Sequence, residues 1–150
     1  MTTWTGTRIA GAAVSALILG GLAVSIAVEG ATSEKGAVTD VESAPPVVVS
    51  TVPRAGSNDV DPRALTELKV TFSKDMEPKN FSWVQYSKET FPTTTGAPHF
   101  LDDRRTCVLP VRLEPGHPYV IGLNKAPYEN FMDGGGRKAL PYLLVFETKK

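Results

Sequence analysis

Short segments after residue 46 alternate apolar and polar side chains with a period of two. In residues 67–73, the side chains of Leu68, Val70 and Phe72 fall on one side of an extended chain, and polar side chains fall on the other. Comparable short segments occupy residues 47–52, 81–86, 106–113, 119–123 and 142–148. Because no amphipathic helical period separates them, residues 47–150 are predicted to be all-β, an antiparallel β-sandwich of about seven strands.

The segments between these strands carry turn chemistry. Asp61 followed by a proline is typical of a helix N-cap, which predicts one short helical turn over residues 62–66. Residues 87–103 are rich in Thr, Gly and Pro, and they predict a long loop with a short edge strand near Phe100. Pro110 lies inside a predicted strand and predicts an edge position or a bulge, since proline cannot donate to a strand ladder.

Two single residues bear on the predicted core. Cys107 is the only cysteine, so no intramolecular disulfide can form. Its place in an alternating apolar run predicts a buried thiol, and a reactive thiol or an intermolecular bridge is the alternative. Trp83 lies in an alternating segment and is predicted to pack in the core rather than to present a ligand platform.

The N-terminal segment has a different character. Residues 9–28 contain no charged side chain and, as a helix, would span about 30 Å, the thickness of a bilayer core. Arg8 precedes the segment and Glu29 follows it, which predicts a cytoplasmic N-terminus. Residues 1–28 are therefore predicted to be a membrane-anchor helix or a cleaved signal peptide, followed by a flexible linker over residues 29–46.

These predictions set the expected location and partners. An uncleaved helix would make a single-pass membrane protein with its domain outside the cell, and cleavage would make a secreted or periplasmic one. The chain has 16 basic and 16 acidic residues, so it has no electrostatic footprint for nucleic acid and no polybasic patch for anionic lipid. The expected partners are an unknown envelope protein or surface polymer, with the membrane itself if the helix is retained.

A tyrosine enters a strand just after a Pro-Gly turn in residues 113–119, as in the tyrosine corner of immunoglobulin-like folds. We expect the Tyr119 hydroxyl to bond to backbone a few residues upstream. The stretch STVPRAGSNDVDP (50–62), followed by LKVTFSKDM (68–76), is similar to the opening of bacterial Ig-like domains of the SbsA type, the Big_5 group. This resemblance covers roughly residues 47–148. It implies an immunoglobulin-like β-sandwich that serves as an extracellular spacer or adhesion-type module, with no catalytic activity and no universal ligand.

Few residues outside this pattern could carry chemistry. His99 and His117 each lie beside a proline, and no local signature supplies a nucleophile and an orienting group, so both are predicted to be exposed loop histidines. Residues 134–136 are three glycines between Asp133 and two basic residues. They lack the Lys-Ser/Thr sequel of a phosphate-binding loop and are predicted to be a flexible connection between the last two strands.

Two loops gather oxygen atoms that could coordinate calcium. The residues concerned are Asn58, Asp59, Asp61, Asp102 and Asp103. Their spacing does not match an EF-hand, and turn formation with helix capping explains the first loop without a metal. Arg104 and Arg105 follow the second loop and are predicted to neutralise it. No catalytic, cofactor-binding or metal-binding residue is assigned from the sequence.

The leading hypothesis for function is a non-catalytic extracytoplasmic module with a structural or protein-interaction role at the bacterial cell envelope. The alternative is an envelope-anchored domain that binds saccharide or calcium. Its aromatic contacts would come from the predicted loop residues Tyr86, Phe91, Phe100, Tyr128 and Phe131. A hydrolase is disfavoured, since no recognisable motif supplies an acid, a base and a nucleophile.

Overall fold

The computed structural model describes residues 40–150. The predicted helix over residues 1–28, and most of the predicted linker over residues 29–46, lie outside the described residues. The described part of the chain forms eight strands. They are β1 (Val48–Val52), β2 (Glu67–Phe72), β3 (Trp83–Gln85), β4 (Thr93–Thr94), β5 (His99–Phe100), β6 (Thr106–Arg112), β7 (Pro118–Leu123) and β8 (Tyr142–Glu147). Within residues 40–150 there is no helix long and apolar enough to cross a membrane.

The strands form two antiparallel sheets. One has the order β1-β2-β6-β4, and β5 also pairs with β6, on the same side as β4. The other has the order β3-β7-β8. Val70 lies opposite Cys107 in the first sheet, and Val120 lies opposite Val145 in the second. The predicted all-β antiparallel architecture is confirmed for the described residues, with eight strands rather than about seven.

The core is built from alternate side chains of both sheets. Leu68, Val70 and Phe72 of β2 are at most 1% exposed, whereas Lys69 and Thr71 between them are partly exposed. The same apolar cluster takes Cys107, Leu109 and Val111 from β6, Tyr119, Ile121 and Leu123 from β7, and Leu144 and Phe146 from β8. Each large apolar side chain that is fully buried contributes roughly 1.5–3 kcal/mol. The period-two pattern therefore identifies the core-facing residues correctly.

Pro110 does not lie on an edge strand, because β6 has β2 on one side and β4 and β5 on the other. The amide of Val111 donates to the carbonyl of Thr66 on the β2 side. Since successive amides point to opposite sides of a strand, the amide that Pro110 lacks would point away from β2. On that side the neighbouring chain is interrupted between β4 and β5, and the Pro110 carbonyl still accepts a hydrogen bond from the amide of Thr95.

The predicted turn after Asp61 is confirmed. The Leu65 amide donates to the Asp61 carbonyl at 3.0 Å, which closes a single turn. The Asp61 carboxylate accepts hydrogen bonds from the amides of Arg63 at 2.9 Å and Ala64 at 3.3 Å, as an N-cap does. No further turn follows, because the chain enters β2 at Glu67.

The segment from residue 81 to residue 103 is less regular than predicted. The third predicted strand is reduced to the three residues of β3, and the predicted loop contains β4 in addition to the expected short strand near Phe100. Trp83 packs against the core, with its ring 6.2 Å from the ring of Phe131 in an edge-on arrangement. Its prediction as a packing residue is confirmed.

The predicted tyrosine corner is also confirmed. The Tyr119 hydroxyl accepts a hydrogen bond of 2.7 Å from the amide of Glu114, five residues upstream. The Tyr119 ring stacks on Phe146 of β8 at 5.1 Å. Thr148 donates to the carbonyl of Glu114 and accepts from the amide of His117, so the turn before β7 is fixed to the end of β8.

Candidate functional site

A buried ion pair joins the end of β2 to the connection between β7 and β8. Lys74 Nζ lies 3.1 Å from Asp133 Oδ2, and the two residues are 4% and 5% exposed. Lys74 also donates to the carbonyls of Glu42 at 2.9 Å and Ala44 at 2.6 Å. All three donors of the ammonium group are thus used, and one lysine holds the chain where it approaches β1.

Asp133 organises the glycine-rich turn that follows it. Its Oδ1 accepts hydrogen bonds from the amides of Gly135 and Arg137, both at 2.9 Å, and its Oδ2 lies 3.2 Å from the Arg137 guanidinium. Burial alone would raise the pKa of Asp133, but hydrogen bonds from Arg137, Lys74 and Gly135 hold the pKa below its ordinary value. Gly136, at φ +78°, takes a left-handed conformation that suits glycine.

A polar cleft of about 300 Å³ adjoins this ion pair. Its lining includes the charged residues Glu42, Lys74, Asp75, Arg104, Arg105, Asp133 and Arg137. Arg105 pairs with Asp75 at 2.9 Å. In the loop next to it in sequence, hydrogen bonds from Thr106 lower the pKa of Asp103, and the charge of Arg105 also contributes. Most of these charges are paired with each other, in the contacts Lys74–Asp133, Arg137–Asp133 and Arg105–Asp75.

The acidic loops use their oxygen atoms in turns. Asp61 pairs with Lys149 at 2.7 Å, and this contact, with the hydrogen bonds from the amides of the turn, lowers the pKa of Asp61 to about 2. Asp103 accepts hydrogen bonds from the amides of Arg105 and Thr106 and from the Thr106 hydroxyl. The other members of the two loops, Asn58, Asp59 and Asp102, are exposed. Residues 40–150 contain no group of three or more His, Cys, Asp or Glu residues that could hold a metal ion.

The two histidines contact backbone rather than catalytic partners. His99 is exposed but lies in β5, not in a loop. His117 is partly buried, which corrects the prediction of an exposed ring, and its ring lies 4.9 Å from that of Tyr119. Their ring nitrogens approach the carbonyls of Ala97 and Glu89, respectively. Neither ring is part of a nucleophile and base arrangement among the described residues.

The five aromatic residues of the ligand-binding hypothesis do not form one surface. Phe131 is 0% exposed and belongs to the core, so its prediction as a loop contact is wrong. Phe91 and Phe100 are partly buried against the core. Tyr86 and Tyr128 are exposed, by 47% and 61%, and Tyr86 is covered on one face by the ammonium of Lys125 at 4.0 Å.

The single cysteine is in the core, as the alternation predicts. Cys107 is fully buried in β6, and burial raises the pKa of its thiol to about 12. A thiol with such a pKa is protonated at physiological pH and is a poor nucleophile. The alternative of a reactive or intermolecular thiol is not supported by this placement.

The Lys74–Asp133 pair is the main feature that sequence reasoning misses. The two residues are 59 positions apart, so no local spacing connects them. Lys74 also comes directly after the alternating segment 67–73, and a charged side chain at such a position is ordinarily exposed to solvent. The nearest signal is its position in the stretch LKVTFSKDM (68–76), which resembles the opening of bacterial Ig-like domains but does not indicate a buried charge.

Comparison with known proteins gives a family and several structural neighbours. No curated protein matches the chain. The solved structures that resemble it include the crystal structure of the S-layer protein rSbsC, at 22% identity and a TM-score of 0.46. The match covers 73% of this chain and 14% of that one. The N-terminal part of the S-layer protein SbsC matches at 21% identity with the same TM-score, over 24% of its length.

The family assignment comes from the sequence model of the bacterial Ig-like domain, Big_5, which matches residues 42–139. This range begins at Glu42, whose carbonyl accepts a hydrogen bond from Lys74, and it includes the seven strands β1 to β7. It ends just before β8. It includes Tyr119 and both partners of the buried ion pair. The chain therefore belongs to the bacterial Ig-like domain family.

Proposed function

We propose that this chain is a non-catalytic extracytoplasmic Ig-like module with a structural or protein-interaction role at the bacterial cell envelope. The observation that carries the proposal is the membership of residues 42–139 in the bacterial Ig-like domain family. Because a fold alone does not define a function, the proposal also depends on what the individual side chains do.

A non-catalytic role is supported by the contacts of the ionisable groups in residues 40–150. Asp133 holds backbone amides and a lysine, while Asp61 and Asp103 cap turns. The pKa of Cys107 is raised by burial, and His117 contacts a carbonyl. These groups stabilise the fold, and no pair of them is arranged to transfer a proton to a bound substrate.

An extracytoplasmic location is supported by the uncharged stretch at residues 9–28. We propose that residues 1–28 are a membrane anchor or a cleaved signal, that residues 29–46 are a linker and that the rest is the exported domain. Because Lys74 binds the carbonyls of Glu42 and Ala44, the C-terminal end of this linker is held against the domain.

The proposal is tested by photo-crosslinking in the native bacterium. A photoreactive amino acid at exposed Leu143 or Tyr128 is expected to give covalent adducts with envelope components, whereas the same probe at buried Ile121 serves as the control. Protease added to intact cells, or to spheroplasts if an outer membrane is present, should degrade the domain. A full-length chain found in the cytosol and protected from protease would overturn the proposal.

A second candidate function, saccharide binding, is supported by one surface. Tyr128 lines a cavity of about 360 Å³ together with Trp83 and Asn130. Saturable binding of a cell-wall saccharide that is lost in Tyr128→Ala, but kept in the exposed control Tyr86→Ala, would favour this function. Calcium binding, the other alternative function, would be excluded if the melting temperature is the same in added calcium and in chelator.

A further inference from the structure

We propose that a groove at one end of the sandwich binds an extended peptide segment of a partner protein that is both acidic and apolar. The groove, called here the basic groove, lies where the turn after Asp61 meets the end of β6. This inference rests on the interaction role proposed above, and it adds the surface and the chemistry of the partner.

The basic groove has the size and the interior of a binding site. Its volume is about 560 Å³, within the range of roughly 300–1,000 Å³ that is usual for ligand pockets. Its accessible apolar lining comes from Pro62, Leu65 and Pro115, which are partly buried or exposed, and it is completed by the buried core residues Val111 and Leu113. These side chains belong to the turn, to the end of β6 and to the residues directly after it, so the scaffold holds them in place without a bound partner.

Two arginines border this aliphatic surface from different elements. Arg63 lies in the turn, Arg112 lies at the end of β6, and both are exposed. Neither forms an ion pair with a residue between positions 40 and 150. By contrast, Arg105 and Arg137 pair with carboxylates elsewhere on the domain. The two guanidinium groups are therefore free to receive carboxylates from outside, in the bidentate geometry that arginine favours.

The lining also decides between partner classes. No aromatic side chain lines the groove, so a sugar ring would find no face to stack on. An anionic membrane surface is recognised by clusters of about 4–8 basic residues, and the groove has two arginines. The hydroxyls of Thr66 and Thr95 at the same site can hydrogen-bond to a peptide backbone. Carboxylates flanking aliphatic side chains on an extended peptide match this surface best.

The test uses the full chain in nanodiscs of neutral phosphatidylcholine and a fluorescent peptide of alternating Asp and Leu. A peptide of alternating Lys and Leu is the charge control. The acidic peptide is expected to bind saturably, and the Arg63→Glu/Arg112→Glu variant should raise its Kd about tenfold or more. The matched control Arg54→Glu/Lys79→Glu makes the same charge change at exposed residues outside the groove and should leave the Kd within about twofold.

Three outcomes would overturn the inference. The first is that the acidic peptide does not bind at about 1 mM, a weak-binding limit. The second is that the basic peptide binds as well as the acidic one. The third is that the groove variant and its control lose affinity to the same extent. An additional variant, Leu65→Ser, should weaken binding with both arginines intact, which would show that the apolar surface contributes. The proposed role at the envelope is tested separately by photo-crosslinking. If the peptide does not bind but crosslinks still form at other surfaces in the bacterium, only the peptide-binding groove is excluded.

Discussion

Removal of the Asp133 carboxylate is expected to be among the most damaging single changes in the domain. In Asp133→Ala, Lys74 remains buried with only the carbonyls of Glu42 and Ala44 as partners. The glycine-rich turn also loses the acceptor for two of its amides. A buried ammonium without a counter-charge costs about 3–5 kcal/mol, a large part of the roughly 5–15 kcal/mol by which a native protein is stable.

The opposite change, Lys74→Met, is expected to cost less, about 1–3 kcal/mol. Asp133 keeps the Arg137 guanidinium and two backbone amides, so its charge is still compensated. The double variant Lys74→Met/Asp133→Ala should be more stable than Asp133→Ala alone, because the buried ammonium is gone. The non-additivity of this cycle measures the coupling between the two residues.

Urea unfolding followed by tryptophan fluorescence and by circular dichroism measures these free energies. Asp133→Ala should lower the melting temperature by about 12–20 °C, at about 4 °C for each kcal/mol in a domain of this size. Lys138→Met breaks an exposed ion pair with Glu129 and is the control, with an expected cost of about 0–1 kcal/mol. The reasoning is refuted if Lys74→Met costs more than Asp133→Ala, or if the two losses simply add.

Three further predictions concern single residues. Tyr119→Phe leaves the Glu114 amide without its acceptor and should cost about 1–3 kcal/mol in urea unfolding; a neutral result would contradict the corner's role. Cys107 should resist a disulfide reagent at pH 8 in the folded protein and react fully in urea, since burial raises the pKa of its thiol; fast native labelling would count against it. The pKa of Asp61 should be near 2 by carboxyl NMR and rise in Lys149→Met. Because that folded pKa lies below the ordinary 3.8, the stability it contributes is present above about pH 4 and lost as pH falls towards 2.

The regular part of the fold follows from the sequence because it depends on one rule applied locally. Alternation identifies the buried side of β2, and the Pro-Gly turn identifies the hydrogen bond of Tyr119. The rule fails for Pro110, where the sequence indicates that a ladder hydrogen bond is missing but not on which side of the strand. The side is fixed by pairing with β2 and with the short strands, which are distant in sequence.

The candidate site is less predictable for the same reason. Lys74 and Asp133 meet only after the two sheets are assembled, and Arg63 and Arg112 border one groove only because a turn and a strand end at the same place. Phe131 shows the converse error. A loop position suggests exposure, yet the Asn124 side chain accepts from the amide of Phe131 and donates to its carbonyl, and the Phe131 ring is held in the core.

The lysine contacts upstream of β1 also determine how the domain would respond to mechanical load. A pull on the N-terminal side of the chain reaches Glu42 and Ala44 before it reaches the first ladder bond of β1. Force then reaches the Lys74 ammonium group, which is paired with Asp133, and the Leu140 amide, which donates to the carbonyl of Pro46. Under tension, the first event would be the release of a few residues of slack, while the two sheets stay paired.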